Sequence, residues 1–588
     1  MDARCTGFTS VWIVLFTMVA TPGEQLKLLM LSAREIETGL AIELGIESLG
    51  LVDGPPYPID AECLLVTINA VDLAGCHVTL GWRMPQRIID LVVEFRNATN
   101  GRQAPFVGGL AGALMYFGLS TVGASGALDS PEQLRRTLAL GVDLYKAMRP
   151  SLDLGRALLR GRYLCATARI EATGVPVDQE LIAQLKREWA AIRDRVIAIV
   201  DIEFGFYSGR QFNQAAFAAW LKQRRIAWPR LAGGQFDLSD ETFKVLALAC
   251  PELRPMRELH AMLSNFQLFA LQIGSDGRNR TQLRPFASRT GRNQPSTKAS
   301  AFGAPAWVRN LIKPHHGTGL AYIDWEQQEF GIAAALSGDG AMQKAYRSGD
   351  PYLALAVAAT AAPIGATAKS HPLAREQFKT TALGIQYGMS ASTLAHQLNC
   401  PVSSAGAMLA AHRKTYARYW SWSDSVENAG LLDRELRSVF GWRISVGAMA
   451  NPRALRNFPV QANGAEMLRL ACCLTTERGI RVCAPNHDAL LIEAPLDDLD
   501  DALERTRQCM AEASAIVLDG FELRTDVRAI RSPDRWTELR GQAIWNAINR
   551  AIADASLAAH QRDGACPPPH SRTVLLYVSM EDTSDASH

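Results

Sequence analysis

The apolar run Leu320, Ala321, Tyr322 and Ile323 ends on Asp324, and far downstream two more apolar runs, Ile480–Ala484 and Ala489–Ala494, flank the tetrapeptide Pro-Asn-His-Asp. Runs this short and this apolar read as buried strands. The later two read as a hairpin whose turn is placed by Pro485 and Asn486, with Asp488 where the second strand begins. A carboxylate at the end of a buried strand is costly unless positive charge sits beside it. One such aspartate is ordinarily a cap or a turn group. Two in one chain invite a shared divalent metal site, although the sequence alone does not place them together. Oxygen ligands without clustered Cys or His suit Mg²⁺ or Mn²⁺, and Mg²⁺ commonly takes one or two protein carboxylates plus substrate phosphates.

Between the two aspartates lies REQFKTTALGIQYGMS, in which Arg375, Lys379, Leu383 and Tyr387 recur every four residues. On a helix they form one slowly drifting stripe. Arg375 and Lys379 are then roughly 6 Å apart along the axis, near the pitch of successive phosphates in a triphosphate. Tyr387 lies two turns beyond Lys379, where a ring could meet a base or sugar. Taken alone, an Arg/Lys pair at this spacing is ordinarily a solvated helix face. Here the stripe turns apolar and then aromatic.

At 588 residues the chain exceeds one core, and about two to four domains are expected. A net charge of +2 argues for no polyanionic partner, so local charge must. From Ser275 to Leu320 there are eight cations (Arg278, Arg280, Arg284, Arg289, Arg292, Lys298, Arg309, Lys313) against the single acid Asp276. This is either a solvated basic loop or a surface that tracks phosphates. The eleven cysteines are scattered, with no CxxC and only Cys472–Cys473 adjacent. That argues against zinc and a disulfide framework, and for a reducing compartment. VWIVLFTMVA, residues 11–20, is long enough for a signal-peptide core but too short to span a membrane. Only Arg4 precedes it as a cation, with Asp2 nearby. A buried first strand is the competing reading.

Residues 8–150 read as mixed α/β, with strands at 11–20, 27–33 and 63–69 and helices near 83–97 and 131–148. Residues 151–275 are mostly helical, 276–320 loop-rich, and 321–530 helical around the strands already named. After about residue 553 the tail, with CPPPHSR and MEDTSDASH, reads as disordered.

Taken in order, the segments resemble motifs A, B and C of family A DNA polymerases, the DNA polymerase I family. Motif A resembles Asp324-Trp325-Glu326-Gln327-Gln328-Glu329, motif B Arg375, Lys379, Leu383 and Tyr387-Gly388, and motif C His487-Asp488-Ala489. SRTGRNQPS (288–296), NPRALRNFPVQANGAEMLRLA (451–471), ARIEATGVPVD (168–178) and SGRQFNQAAFAAWL (208–221) resemble further segments in the family's order, so the likeness spans about 160–530. It implies an α/β multidomain protein: a right-hand polymerase of palm, fingers and thumb, preceded by a ribonuclease H-like exonuclease-type domain. The expected division is 1–150 exonuclease-like, 151–320 thumb and approach to the palm, 321–530 palm and fingers, and 553–588 disordered tail.

By that resemblance Asp324 and Asp488, helped by the Trp325 carbonyl, would hold two Mg²⁺ ions, with Mn²⁺ as a substitute. Arg375 and Lys379 would grip the triphosphate, and Lys379 counts among the catalytic residues. Gln327 would lie near the nascent pair, Tyr387 at the insertion site, and Glu329 against the sugar 2′ position, excluding ribonucleotides. His487 would contact the primer terminus, and Arg292, Arg453, Asn457 and Gln461 would track primer–template, mainly in the minor groove. Leu383 stands where the family has an aromatic residue, Ala489 where it has glutamate, and Tyr352 where many relatives have histidine. The exonuclease carboxylates would fall at Leu15 and Thr17, neither of which holds Mg²⁺. Asp72 is a weak trace of the second motif, and Asp143 a displaced trace of the third. The resemblance thus implies template-directed DNA synthesis from dNTPs without proofreading, by a monomer in a bacterial or phage-infected cytoplasm, with no membrane partner. Two rival readings are a phage-type single-subunit RNA polymerase, which Glu329 disfavours, and a catalytically dead nucleic-acid-binding remnant.

Overall fold

The structure, a computed structural model, describes residues 7–562 except 20, 103–107, 125–129, 266–269, 304 and 448. Strand β1 (Ser10–Val19) is central to the first sheet. Its period-2 alternation sends Trp12, Val14 and Phe16 to one buried face and Ile13 and Leu15 to the other. This strand is the outcome for the N-terminal apolar run. It pairs antiparallel with β2 (Lys27–Glu35), which pairs antiparallel with β3 (Ala41–Gly45). On its other side it pairs parallel with β4 (Cys63–Thr67). Helix α1 (Ala70–Thr79) follows, then β5 (Ile88–Asp90), parallel to β4, and α2 (Leu91–Thr99). The sheet order is β3-β2-β1-β4-β5.

The helix expected over 83–97 is therefore a strand running into a helix. Ile88 and Ile89 gain more from pairing with Leu65 and Val66 than from local helix propensity. Asp90 caps α2, its carboxylate accepting from Val92 and Val93 N–H at 2.9 Å each. Helix α3 (Pro131–Met148) covers β1 through Leu134, Leu138 and Val142.

Helix α4 (Leu154–Thr173) leaves this domain, crossing β5 at Gly161, where a Cβ would stand 1.8 Å from the Ile88 carbonyl oxygen. Helix α5 (Gln179–Val200) follows.

The second sheet carries the aspartates. It is built from β6 (Thr318–Trp325), followed by α6 (Gln328–Ser337) and, later, α7 (Pro372–Gln386). A small ladder, β7 (Glu435–Arg437) with β8 (Arg443–Ser445), precedes the long helix α8 (Pro452–Glu477). The hairpin β9 (Arg481–Asn486) and β10 (Ala489–Pro495), helix α9 (Leu499–Val517) and β11 (Thr525–Arg531) complete it. The order is β9-β10-β6-β11, antiparallel throughout.

The hairpin turn is His487-Asp488, with His487 left-handed at φ +57°, and not the expected Pro485 and Asn486. Both of those residues lie in β9, opposite Leu490 and Ala489. Pro485 is tolerated because β9 is an edge strand.

The tail expectation is also corrected in part. Helix α10 (Gln542–Arg562) continues past residue 553 and joins the core that holds Ile192 and Val196 of α5, with Ala551 fully buried. Residues 563–588 lie outside the described residues. No described helix is long and apolar enough to cross a membrane.

Candidate active site

Strand β6 delivers Asp324 to one end of the sheet, and the β9–β10 turn delivers Asp488 to the same end. Trp325 N–H donates to the Asp488 carbonyl at 3.3 Å. In register, Asp324 stands between Ala489 on β10 and Asp526 on β11. The Asp324 and Asp488 carboxyls lie close enough that each shifts the ionisation of the other. Both are pushed above the ordinary aspartate range, chiefly by burial. For Asp324 the charges of Asp488 and Asp526 add to the shift. Two carboxyls this close cannot both ionise cheaply without a cation, the condition the sequence posed.

Asp324 Oδ1 is buried with no hydrogen-bond donor. An acceptor left without a donor fits a divalent cation. No described cluster of three or more His, Cys, Asp or Glu could hold a metal unaided. Substrate oxygens would complete the coordination, as Mg²⁺ sites commonly require. His487 is held below its ordinary range, first by burial and then by the charges of Arg309, Arg292 and Arg540, against the Asp488 charge.

Five residues beyond Asp324, Glu329 sits in the first turn of α6. Its Oε1 accepts from Tyr387 Oη at 2.9 Å and from Gln461 Nε2. Gln461 Nε2 also reaches Tyr387 Oη at 3.3 Å, and Arg292 Nη2 lies 3.9 Å from Glu329. Motifs A and B, α8 and the 288–296 segment thus converge on one carboxylate. Burial and the Glu329 charge push the Tyr387 phenol up to about 12, so it donates.

Helix α7 bears the predicted stripe. Arg375 pairs with Asp350 and lies over the Tyr352 ring at 5.9 Å. The half-buried Lys379 has no ion pair among the described residues. Leu383 is half-buried, and Tyr387 closes the helix as its C-cap, 51% exposed. On α8, Arg453 is exposed, Asn457 half-buried and Gln461 buried. Asn457 Oδ1 lacks a donor. Arg453 packs on Gly388, where a Cβ would stand 2.6 Å from its Cγ. Arg292, Asn486 and His487 line a cavity of about 490 Å³.

The basic stretch divides, so it is neither one solvated loop nor one phosphate-tracking surface. Arg278 is buried against Glu493, and Arg280 is buried with Asp276 and the Gly23 and Ala172 carbonyls. Arg309 pairs with Glu538, and Lys313 with Asp178. Arg284, Arg289 and Lys298 are exposed and Arg292 half-buried. Charge counting could not make most of this division, because Glu493, Glu538 and Asp178 lie far off in sequence.

Sequence reasoning also missed Arg524. Its guanidinium bonds the Tyr346 carbonyl at 2.5 Å, Glu326 at 3.2 Å and Gln327 Oε1 at 3.4 Å. It thereby pins the turn after Asp324, where Gln327 is left-handed at φ +46°. A lone arginine near the end of a strand-like run gave no signal of this.

The sequence model of DNA polymerase family A matches residues 177–536, more than half of the chain. The chain belongs to that family. The thermostable DNA polymerase I of Thermus caldophilus is 25% identical over 378 residues, 59% of this chain and 44% of that protein. The DNA polymerase of Mycobacterium phage D29 is 28% identical over 261 residues, 44% of this chain and 42% of that one. The family A chain thus spans less than half the length of these two relatives. Among solved structures, the POL domain of Pol1 from M. smegmatis, in complex with DNA primer-template and dNTP, matches with a TM-score of 0.70 and 18% identity. That match covers 90% of this chain and 97% of the other. At that identity the likeness is one of fold. It covers more than residues 151–588 could supply, so it reaches into the N-terminal domain.

Proposed function

We propose that this family A chain is a DNA-directed DNA polymerase that adds dNTPs to a primer 3′-hydroxyl by two-metal nucleotidyl transfer, without proofreading. The observation that carries the reading is the close approach of Asp324 and Asp488 at one end of the palm sheet, with an orphaned oxygen on Asp324. Asp324, Asp488 and the Trp325 carbonyl would hold two Mg²⁺ ions, with Mn²⁺ as an alternative. Bound there, they would favour the ionised primer hydroxyl and neutralise the triphosphate and departing pyrophosphate.

The chain's own residues do the remainder. Lys379, without an ion pair among the described residues, meets the triphosphate, and Arg375 swings from Asp350 or shares it to do the same. Gln327 lies beside the nascent pair and Tyr387 at the insertion site. His487 meets the primer terminus. Arg292, Arg453, Asn457 and Gln461 follow the duplex. The partners are primer–template DNA and dNTPs. The protein acts as a monomer in the cytoplasm, which suits the absence of disulfides among the nine described cysteines.

Glu329, held by Tyr387 and Gln461, fills the space a ribose 2′-hydroxyl would need. Glu329→Ala is expected to reduce discrimination of dNTPs over NTPs by roughly tenfold to a hundredfold. Single-nucleotide incorporation of each on the same template checks this. Unchanged discrimination would remove Glu329 from the sugar site.

The N-terminal domain supports the exonuclease-type reading through its mixed sheet order, and the loss of activity through its acid positions. Leu15 and Thr17 are each 3% exposed, and Leu15 packs against α3 in an apolar cluster. Asp72 is pushed up to about 6 by burial and then by Asp90, while Asp143 is exposed. The deciding experiment extends a labelled primer–template with dNTPs and Mg²⁺, beside a 3′-mismatched primer. Extension of the matched primer with the mismatch left untrimmed is expected. Trimming would refute the N-terminal reading. Failure to extend by folded protein that binds DNA would leave a binding remnant.

A further inference from the structure

We propose that the N-terminal domain works as a positioning element of the polymerase: the C-terminal end of α2 clips the β7–β8 ladder and residues 288–292, so that Arg292 is presented to the primer–template.

This rests on the proposed role of Arg292. The contacts are dense and specific. Asn97 Oδ1 accepts from Arg443 N–H at 2.9 Å, and the Asn97 carbonyl accepts from Arg443 Nε at 2.9 Å. The Asn100 amide nitrogen donates both its hydrogens, one to the Arg443 carbonyl and one to the Arg289 carbonyl, each at 2.7 Å. Ser445 N–H returns a bond to the Asn100 carbonyl at 2.8 Å. The approach is close enough that a Cβ on Gly101 would stand 2.5 Å from the Ser445 carbonyl oxygen, and Gly101 is left-handed at φ +80°.

The Arg289 carbonyl also accepts from Trp442 Nε1 at 3.0 Å, and the Gly291 carbonyl from Arg469 of α8 at 2.6 Å. Three elements therefore grip the backbone just before Arg292: α2 of the N-terminal domain, the β7–β8 ladder and α8. The side chain that follows faces Glu329 across 3.9 Å. A two-donor amide such as Asn100 sets the orientation of both acceptors at once, and no shorter or apolar residue can do so. This gives the domain a use that needs none of the missing carboxylates. Asn97 and Asn100 touch no acid of the exonuclease-type site and serve only the junction.

The test uses the full chain and measures the primer–template Kd by fluorescence anisotropy at fixed salt, with dNTP KM and kcat alongside. Asn100→Ala is expected to raise the primer–template Kd about fivefold to tenfold, as its two hydrogen bonds, to the exposed Arg289 and the half-buried Arg443 carbonyls, are lost. The dNTP KM should stay within about twofold. Trp442→Phe removes the indole N–H together with part of a buried ring and should raise Kd about twofold to fivefold; with its melting temperature measured in parallel, it decides the matter if Asn100→Ala does not fold. Arg292→Ala should weaken DNA binding at least as much, and Asn100→Ala should add less than about twofold on that background.

An unchanged Kd in both Asn100→Ala and Trp442→Phe, with Arg292→Ala still impaired, overturns the positioning role alone. So does full additivity in the double variant, which would mark Asn100 as merely structural. An unchanged Kd in Arg292→Ala overturns the placement of Arg292 on DNA and the inference with it.

Discussion

Asp324→Ala is expected to abolish primer extension, lowering the rate by on the order of a thousandfold or more, while primer–template binding is kept or tightened. On the two-metal proposal, losing one of the two carboxyls would remove several kcal/mol of transition-state charge stabilisation. Removing a negative charge near the DNA path lowers repulsion of phosphates. Extension assays with DNA binding measured in parallel would check both halves. Robust extension by the variant would sink the two-carboxylate site.

A pH dependence follows from the same pair. The Asp324 carboxyl is more protonated folded than unfolded, because burial and its neighbours raise it. Such a group supports the fold fully below the ordinary aspartate value of about 4, and that support is lost as pH rises through the raised folded-state value. Without metal, Asp324→Asn should therefore match the parent near pH 4 and melt higher at pH 8. Mg²⁺ should raise the midpoint of the parent at pH 8, and that of the variant much less. Thermal unfolding with and without Mg²⁺ reads this directly.

Glu493→Ala is expected to cost about 3–5 kcal/mol of stability, the usual consequence of leaving a buried charge without its partner. Glu493 is 1% exposed on β10, and both its oxygens accept from Arg278 Nη2, at 2.9 and 2.7 Å. Arg278, itself 7% exposed, also bonds the Thr173 and Gly174 carbonyls at the end of α4. The pair thus ties the basic segment and α4 to the palm sheet. Arg481 approaches Glu493 at 3.2 Å from the solvent side and cannot replace the buried partner. Glu493→Gln, which keeps the shape and one acceptor, should lose less. Denaturant midpoints of the two variants would settle the order. Equal stability of Glu493→Ala and the parent would mean that water solvates the orphaned Arg278 guanidinium fully.

The motif B stripe was legible because the helical period is local: Arg375, Lys379, Leu383 and Tyr387 needed only a spacing of four to share a face. The strand ending in Asp324 and the hairpin carrying Asp488 were legible for the same reason, since apolar runs report burial directly. β1 was legible as a strand competing with a signal-peptide core. Where signals were short, tertiary pairing overrode them. Ile88–Asp90 became a strand because β4 lay beside it, and the hairpin turn moved to His487-Asp488 because an edge strand accepts Pro485.

By itself, then, the sequence determined the types of the polar and charged groups and their spacing along each element. Only the tertiary structure decided which charges meet. It placed Asp324 against Asp488, turned Arg278 and Arg280 inward while leaving Arg292 facing Glu329, and brought Asn100 to Arg289. The physical reason is range. Backbone periodicity and apolar burial act over a few residues and are written in order along the chain. Coulombic partners and hydrogen bonds are chosen in space, among groups up to hundreds of residues apart, after the sheets and helices have packed.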